Sequence, residues 1–120
     1  CMDPSGMKIG ALTPTWTGSL AGHTPTIHQS LAFARHAESV GLDSIWLTDH
    51  LYREAYADFR AVGIELPAEW VGVKAGQWEC WTFAAALATQ TSTIQIGTLV
   101  SNTTLRNSAL LARTADNVIA

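Results

Sequence analysis

Cysteine is all but missing: Cys1 and Cys80 are the only two in 120 residues. Cys1 belongs to a stretch, Cys1 to Gly6, that reads like an expression scar or a frayed tail ahead of Met7. Cys80 therefore stands alone in the body of the chain, which excludes a disulfide framework and a cysteine-based metal site. Charge is scarce as well. Asp, Glu, Lys and Arg together make 14% of the sequence and the seven Lys and Arg are scattered singly, so there is no basic stripe to hold a phosphate backbone, and nucleic acid is not an expected partner. No apolar run approaches the roughly 18 to 20 residues of a membrane span, and no charged-then-apolar leader opens the chain. A soluble, cytoplasmic protein without a membrane partner is the expectation.

What is present is apolar and regular. Hydrophobic residues make up 48% of the chain, enough for a folded segment and, at this length, one compact domain spanning residues 7 to 120. Met7 to Leu12 (MKIGAL) is a short apolar run stopped by Thr13 and Pro14, a first strand. Thr15 to Pro25 reads as a loop, and Thr26 with Gln29 makes a capping box for a helix starting at Ile27. Ile27, Leu31, Ala34, Ala37 and Val40 recur at helical spacing, and Gly41 supplies the left-handed residue that ends a helix. Ser44 to Thr48, within DSIWLT, reads as a strand buried on both faces. The pattern dissolves from Leu51 to Gln77, a long connection (loop 52–77) in which Arg53 to Val62 could hold a helical turn or two. Long loops in compact domains tend to be functional. Trp81 to Thr91 favours helix, Thr93 to Val100 alternates as a third strand, and Asn107 caps a last helix that carries Leu110, Leu111, Ala115, Val118 and Ile119.

Strand, helix and strand joined by short turns make a βαβ unit. Three strands are too few for a complete doubly wound domain. The strands also run into TPTWTG, DHLYRE and SNTTLR rather than a glycine-rich phosphate loop. Three β/α units fit the opening of a (β/α)8 TIM barrel, whose active sites lie at the C-terminal ends of the strands. Polar residues collect there: Thr13, then Thr48, Asp49 and His50, then Ser101, Asn102 and Thr103. An imidazole at a strand mouth titrates near neutrality and can pass a proton, which singles out His50 beside Asp49. The plainer alternative is that Asp49 caps a turn and His50 is a loop residue. Aspartate and histidine also serve metal-dependent barrel hydrolases, but His23, His28 and His36 do not lie at strand ends, and no metal site is assigned. Trp70, Trp78 and Trp81, with Glu79, could line a pocket for a flat ring or simply bury loops. Gly97 marks a bulge, a close backbone approach to a ligand, or relief of crowding.

Taken in order, MKIGALTP, AESVGLDSIWLTDHL, ECWTFAAALATQTSTIQIGTLVSNTTLR and NSALLARTADNVIA resemble the N-terminal third of the luciferase-like monooxygenases, above all the members that use coenzyme F420. The resemblance covers most of Met7 to Ala120 except Tyr52 to Gln77. It implies a TIM barrel and a flavin- or deazaflavin-dependent oxidoreductase, with FMN or F420 as cofactor and a small organic molecule as substrate. It implies a ring lying over strands two and three, beside Asp49, His50, Thr98, Leu99, Val100, Ser101 and Asn102. A non-prolyl cis peptide is implied at Leu99–Val100, and a catalytic, proton-handling role for His50 beside Asp49. Glu54 stands where some sugar-phosphate dehydrogenases of the family have Trp, and the family's Arg-His-Pro helix start reads Arg106, Asn107, Ser108.

In the family the cofactor's phosphate tail is held by the barrel's C-terminal half. The chain is therefore expected to be the barrel's opening piece, to hold a flavin poorly and to be inactive by itself. Its open strand edges should pair it into a homo-oligomer, and the DNA past the Ala120 codon should encode a fourth strand. The rival readings are a metal-dependent barrel hydrolase and a non-catalytic, self-associating fragment.

Overall fold

The computed structural model describes residues 6–20, 23–54, 59–68, 71, 72 and 74–119. Three strands, β1 (Gly10–Leu12), β2 (Ser44–Leu47) and β5 (Gln95–Thr98), form a parallel sheet in the order β1-β2-β5. Gly10 pairs with Ser44, and Ser44 in turn with Gln95. β2 is paired along both edges, but among the described residues it is buried on one face only: Ile45 and Leu47 are buried and Trp46 between them is exposed, so the burial on both faces expected from its apolar run is not found. The α/β alternation and strand order are those expected from the sequence. Within the described residues the sheet has two free edges, β1 and β5.

Helices α1 (Ile27–Ser39), α2 (Cys80–Ala88) and α3 (Ser108–Ile119) follow the strands. The Thr26–Gln29 capping box is formed, with Gln29 N–H donating to Thr26 Oγ1 at 3.3 Å and Thr26 N–H to Gln29 Oε1 at 2.8 Å. At the other end Gly41 has φ +85°. Its N–H donates to Glu38 O and that of Leu42 to Ala37 O, both at 3.0 Å, the two bonds of a Schellman motif. The buried stripe of α1 is Ser30, Ala34 and Ala37. Ala34 and Ala37 are buried as expected and Leu31 packs against the core, whereas Ile27 and Val40 at the two ends of the expected stripe are exposed. Ser30 belongs in the stripe because its hydroxyl donates to Pro14 O at 2.6 Å, which ties the helix to the loop after β1. His28 and His36 lie exposed on the same helix.

The core is one layer between the sheet and α1 and α2. Ile45 and Leu47 project from β2 into Ala34, Ala37, Cys80, Phe83, Ala84 and Leu87, with Ile94 below. The alanines let the helices approach the strands closely, and each fully buried Ile, Leu or Phe contributes about 1.5–3 kcal/mol. α3 packs along α2.

Strand lengths are shorter than the sequence suggests, for local reasons. Met7 and Ile9 are exposed, and Ile9 is bonded to Asp43 outside the regular ladder, its carbonyl accepting the Asp43 N–H at 2.9 Å and its own N–H donating to the Asp43 side-chain Oδ2 at 2.8 Å. Before β5, the N–H groups of Ser92, Thr93 and Ile94 all donate to the Glu38 carboxylate, so they are not available to a strand. β5 ends at Thr98, two residues before the expected Val100; separately, the Leu99–Val100 peptide is cis. The connection from 52 to 77 is also more regular than expected. β3 (Tyr52–Glu54) and β4 (Lys74–Gly76) form an antiparallel ribbon, so Arg53 and Glu54 are strand residues and the helical turn falls at 59–61.

The sheet face opposite the helices carries Trp46, whose indole lies flat across the neighbouring strands. A Cβ on Gly10 would come within 2.6 Å of Trp46 Nε1, and one on Gly97 within 2.6 Å of its Cζ3. The β2–β5 register runs unbroken through Gly97, so Gly97 marks no bulge. It makes room for Trp46. Replacing Gly97 with Val is expected to lower stability by about 1–3 kcal/mol through overpacking. In a Trp46→Leu background the same change should cost less than about 1 kcal/mol, because the obstructing ring is gone. Urea unfolding of the four proteins measures both, and equal losses in the two backgrounds would show that Trp46 is not the obstacle.

Candidate functional site at the strand mouths

The C-terminal ends of the three strands gather the polar residues of the chain. β2 stops at Leu47, so Thr48, Asp49 and His50 already lie on the turn beyond it and need not alternate in direction. Thr48 Oγ1 donates to Gln77 Oε1 at 2.6 Å, Trp78 N–H to Thr15 O and Thr17 N–H to Gly76 O, both at 3.0 Å. These bonds lace the loops after β1, β2 and β4 into one rim. His50 is exposed on it.

Asp49 points the other way. It is 2% exposed, and its carboxylate receives the Arg106 guanidinium as a fork, Nη1 to Oδ2 at 2.6 Å and Nη2 to Oδ1 at 2.8 Å. Oδ2 also accepts the Asn102 N–H at 2.8 Å and, at the long limit of 3.5 Å, the Ser101 hydroxyl. Such bidentate, charge-assisted pairs are the strong members of the hydrogen-bond class. Arg106 Nη2 reaches a second carboxylate, Glu79 Oε1, while Glu79 Oε2 caps α2 by accepting Thr82 N–H at 2.7 Å. One guanidinium thus joins the end of β2, the start of α2 and the segment that leads into α3. Asn107, the next residue, caps α3 as expected, accepting Ala109 N–H at 2.9 Å on its side chain.

The turn after β5 is fixed at several points. Leu99 N–H donates to Leu47 O at 2.6 Å, Asn102 N–H goes to Asp49, and Trp81 Nε1–H reaches Ser101 Oγ at 3.3 Å. Held this way, the turn presents Leu99 and Val100 to solvent at 55% and 70% exposure. Thr98 ends the strand half-buried. Thr13 Oγ1 and Thr15 Oγ1 are buried and have no hydrogen-bond partner among the described residues, an uncommon state for a hydroxyl.

The residues singled out in the sequence therefore divide. His50, Leu99 and Val100 are exposed; Asp49, Ser101 and Asn102 form the bonded layer beneath. Trp81 lies beside Ser101, Trp78 is 37% exposed, and Trp70 falls outside the described residues. Glu79 and Arg106 are the partners that the sequence reading did not assign. Among the described residues, no three of His, Cys, Asp and Glu converge as a metal site.

Electrostatics follow from this layout. Burial pushes the Asp49 carboxyl up, but the Arg106 hydrogen bonds, the Asn102 N–H and the Arg106 charge outweigh it and hold it below the usual range. Burial also raises Glu79, and the bonds from Thr82 and Arg106 override it and bring the group to about 2. The Cys80 thiol is pushed up to about 12, by burial first and then by the two carboxylates, so it is no nucleophile at neutral pH. Away from the mouth, the backbone N–H groups of Thr93, Ser92 and Ile94 bring Glu38 to about 2.

Carboxyls lowered in the folded state contribute stability that is complete above their ordinary values and is lost as pH falls through the folded ones. Stability in urea is therefore expected to hold above pH 4.5, the ordinary value for Glu79 and Glu38, and to decline as pH drops toward about 2. Glu79→Gln and Glu38→Gln should each flatten part of that decline. If the double variant kept the whole of it, the acid response would have another source.

Set against known protein families, residues 7–117 match the family described as luciferase-like monooxygenase. No curated protein and no solved structure matches the chain.

Proposed function

The chain belongs to the luciferase-like monooxygenase family, and from that premise we propose that its strand mouths form the ring-binding side of an F420- or FMN-dependent oxidoreductase that acts on a small organic molecule. The observation that carries the proposal is the turn after β5. Two apolar side chains, Leu99 and Val100, lie more than half exposed there on a turn bonded at both ends to β2 and the residues after it. An exposed apolar surface on a rigid support suits a flat, largely apolar ring, and a flexible loop would not.

When bound, such a cofactor supplies the hydride chemistry. The chain's own residues hold the ring face and handle the proton. Leu99 and Val100 form the backing surface, and Thr98, Ser101 and Asn102 fix its height. His50 is the exposed imidazole of the rim and the group we assign to proton transfer. Asp49 serves the site through the turn it anchors, since its oxygens are already engaged by Arg106 and Asn102. In this reading the complete enzyme is a TIM barrel. The metal-hydrolase alternative has no set of ligands among the described residues that would recommend it.

Replacing His50 with Ala is expected to slow single-turnover reduction by about 10²–10⁴-fold, the contribution typical of a proton-transfer group, while leaving cofactor affinity nearly unchanged. Val100→Phe should do the reverse, weakening binding because the larger ring intrudes on the backing surface. Fluorescence titration with FMN and F420 and rapid-mixing reduction, both in the full-length protein, read these effects. Wild-type turnover by His50→Ala, with activity abolished by a chelator, would hand the site to the metal-dependent reading.

A further inference from the structure

We propose that Arg106 is a positioning residue: its guanidinium, acting through Asp49, sets the turn Leu99–Asn102 at the height where the exposed Leu99–Val100 surface can support a ring. The part of this that concerns a ring rests on the function proposed above. The part that concerns the turn stands on the geometry alone.

The turn is joined at two places, to the end of β2 and to the segment just beyond it. Leu99 N–H is bonded to a backbone carbonyl, Leu47 O, and that bond exists wherever β2 and β5 pair. Asn102 N–H is bonded to a side chain, Asp49 Oδ2, so the far end of the turn depends on where one carboxylate stands. The carboxylate is set by Arg106, whose planar fork engages both oxygens and fixes the plane of the group as well as its position. Arg106 is itself only 12% exposed and is held from the other side by Glu79, the cap of α2. The chain of dependence therefore runs from the α2 terminus through Glu79, Arg106 and Asp49 to Asn102. Lysine at 106 would keep the charge and lose the fork, which separates the positioning role from simple neutralisation of Asp49. His50 is the neighbour of Asp49 in the chain, but it lies on the exposed rim and does not enter the cluster, so proton handling should be spared.

The test uses Arg106→Lys, which retains a cation for the buried carboxylate, together with Arg106→Met, and reads amide hydrogen exchange residue by residue in the full-length protein without cofactor. The expected result is exchange at Asn102 accelerated by about tenfold or more in Arg106→Lys, the scale of one lost charge-assisted hydrogen bond. Leu99 should change less, and β1, β2 and α1 not at all. FMN and F420 are then titrated into the wild type and Arg106→Lys. Affinity for whichever cofactor binds should fall by about tenfold, while turnover at saturating cofactor and its pH profile stay within about twofold, the signature of lost binding rather than lost chemistry.

Unchanged exchange at Asn102 overturns the proposal. So does a uniform rise across the sheet in Arg106→Lys, which would make Arg106 a general stability residue, with Arg106→Met the more severe case. A loosened turn with unaltered cofactor affinity overturns the link to the ring. If the wild type binds neither FMN nor F420, the functional reading fails, and the exchange data still decide whether Arg106 holds the turn.

Discussion

A carboxylate that is 2% exposed stays ionised only with a cation and hydrogen-bond donors at hand, and at Asp49 both come from far along the chain, Asn102 at 53 and Arg106 at 57 residues' separation. Removing one partner of a buried ion pair typically costs about 3–5 kcal/mol, because the other charge remains buried and unpaired. The segment from Ser101 to Arg106 is therefore obliged to fold back over the end of β2. Glu79 joins the same guanidinium while capping α2, so the helix cannot shift without disturbing the turn. The strand mouths are rigid because these requirements are met by one cluster, and their exposed residues sit on top of it.

The sheet supplies the platform. Ile45 and Leu47 face the helices and lock β2 into the core, while Trp46, between them, faces the other way and covers the neighbouring strands where Gly10 and Gly97 leave room. The alternation of a strand thus places one bulky ring on the face away from the helices and two aliphatic anchors in the core. The Leu99–Val100 turn follows directly from the strand paired with Trp46, so the site inherits its position from packing set several residues earlier.

Local chemistry was legible in the sequence, and distant pairing was not. The Thr26–Gln29 box, Gly41 and the Asn107 cap each follow from a few adjacent residues, and the parallel order β1-β2-β5 follows from their alternation with helices. Gly97 could be read as a site of close approach, but the group approaching it, Trp46, is 51 positions away. Asp49 was visible as a polar residue at a strand end, whereas Arg106 and Glu79 carried no local sign of meeting it. Glu38 did offer a sign: an acidic residue in the last turn of a helix opposes the helix dipole and is worth retaining only if donors wait nearby, as Ser92, Thr93 and Ile94 do. The β3–β4 ribbon was missed because its three-residue strands are too short for alternation to register.

The central claim is that a flavin or deazaflavin ring rests on Leu99 and Val100. Methyl-resolved NMR during addition of FMN or F420 to the full-length protein tests it most directly, since an aromatic ring shifts the resonances of methyls beneath its face. The account predicts upfield movement of the Leu99 and Val100 methyls, with Leu12 on the sheet and Leu110 in the groove between α2 and α3 unmoved. Saturable binding that shifted the Leu110 methyls and left Leu99 and Val100 in place would contradict it.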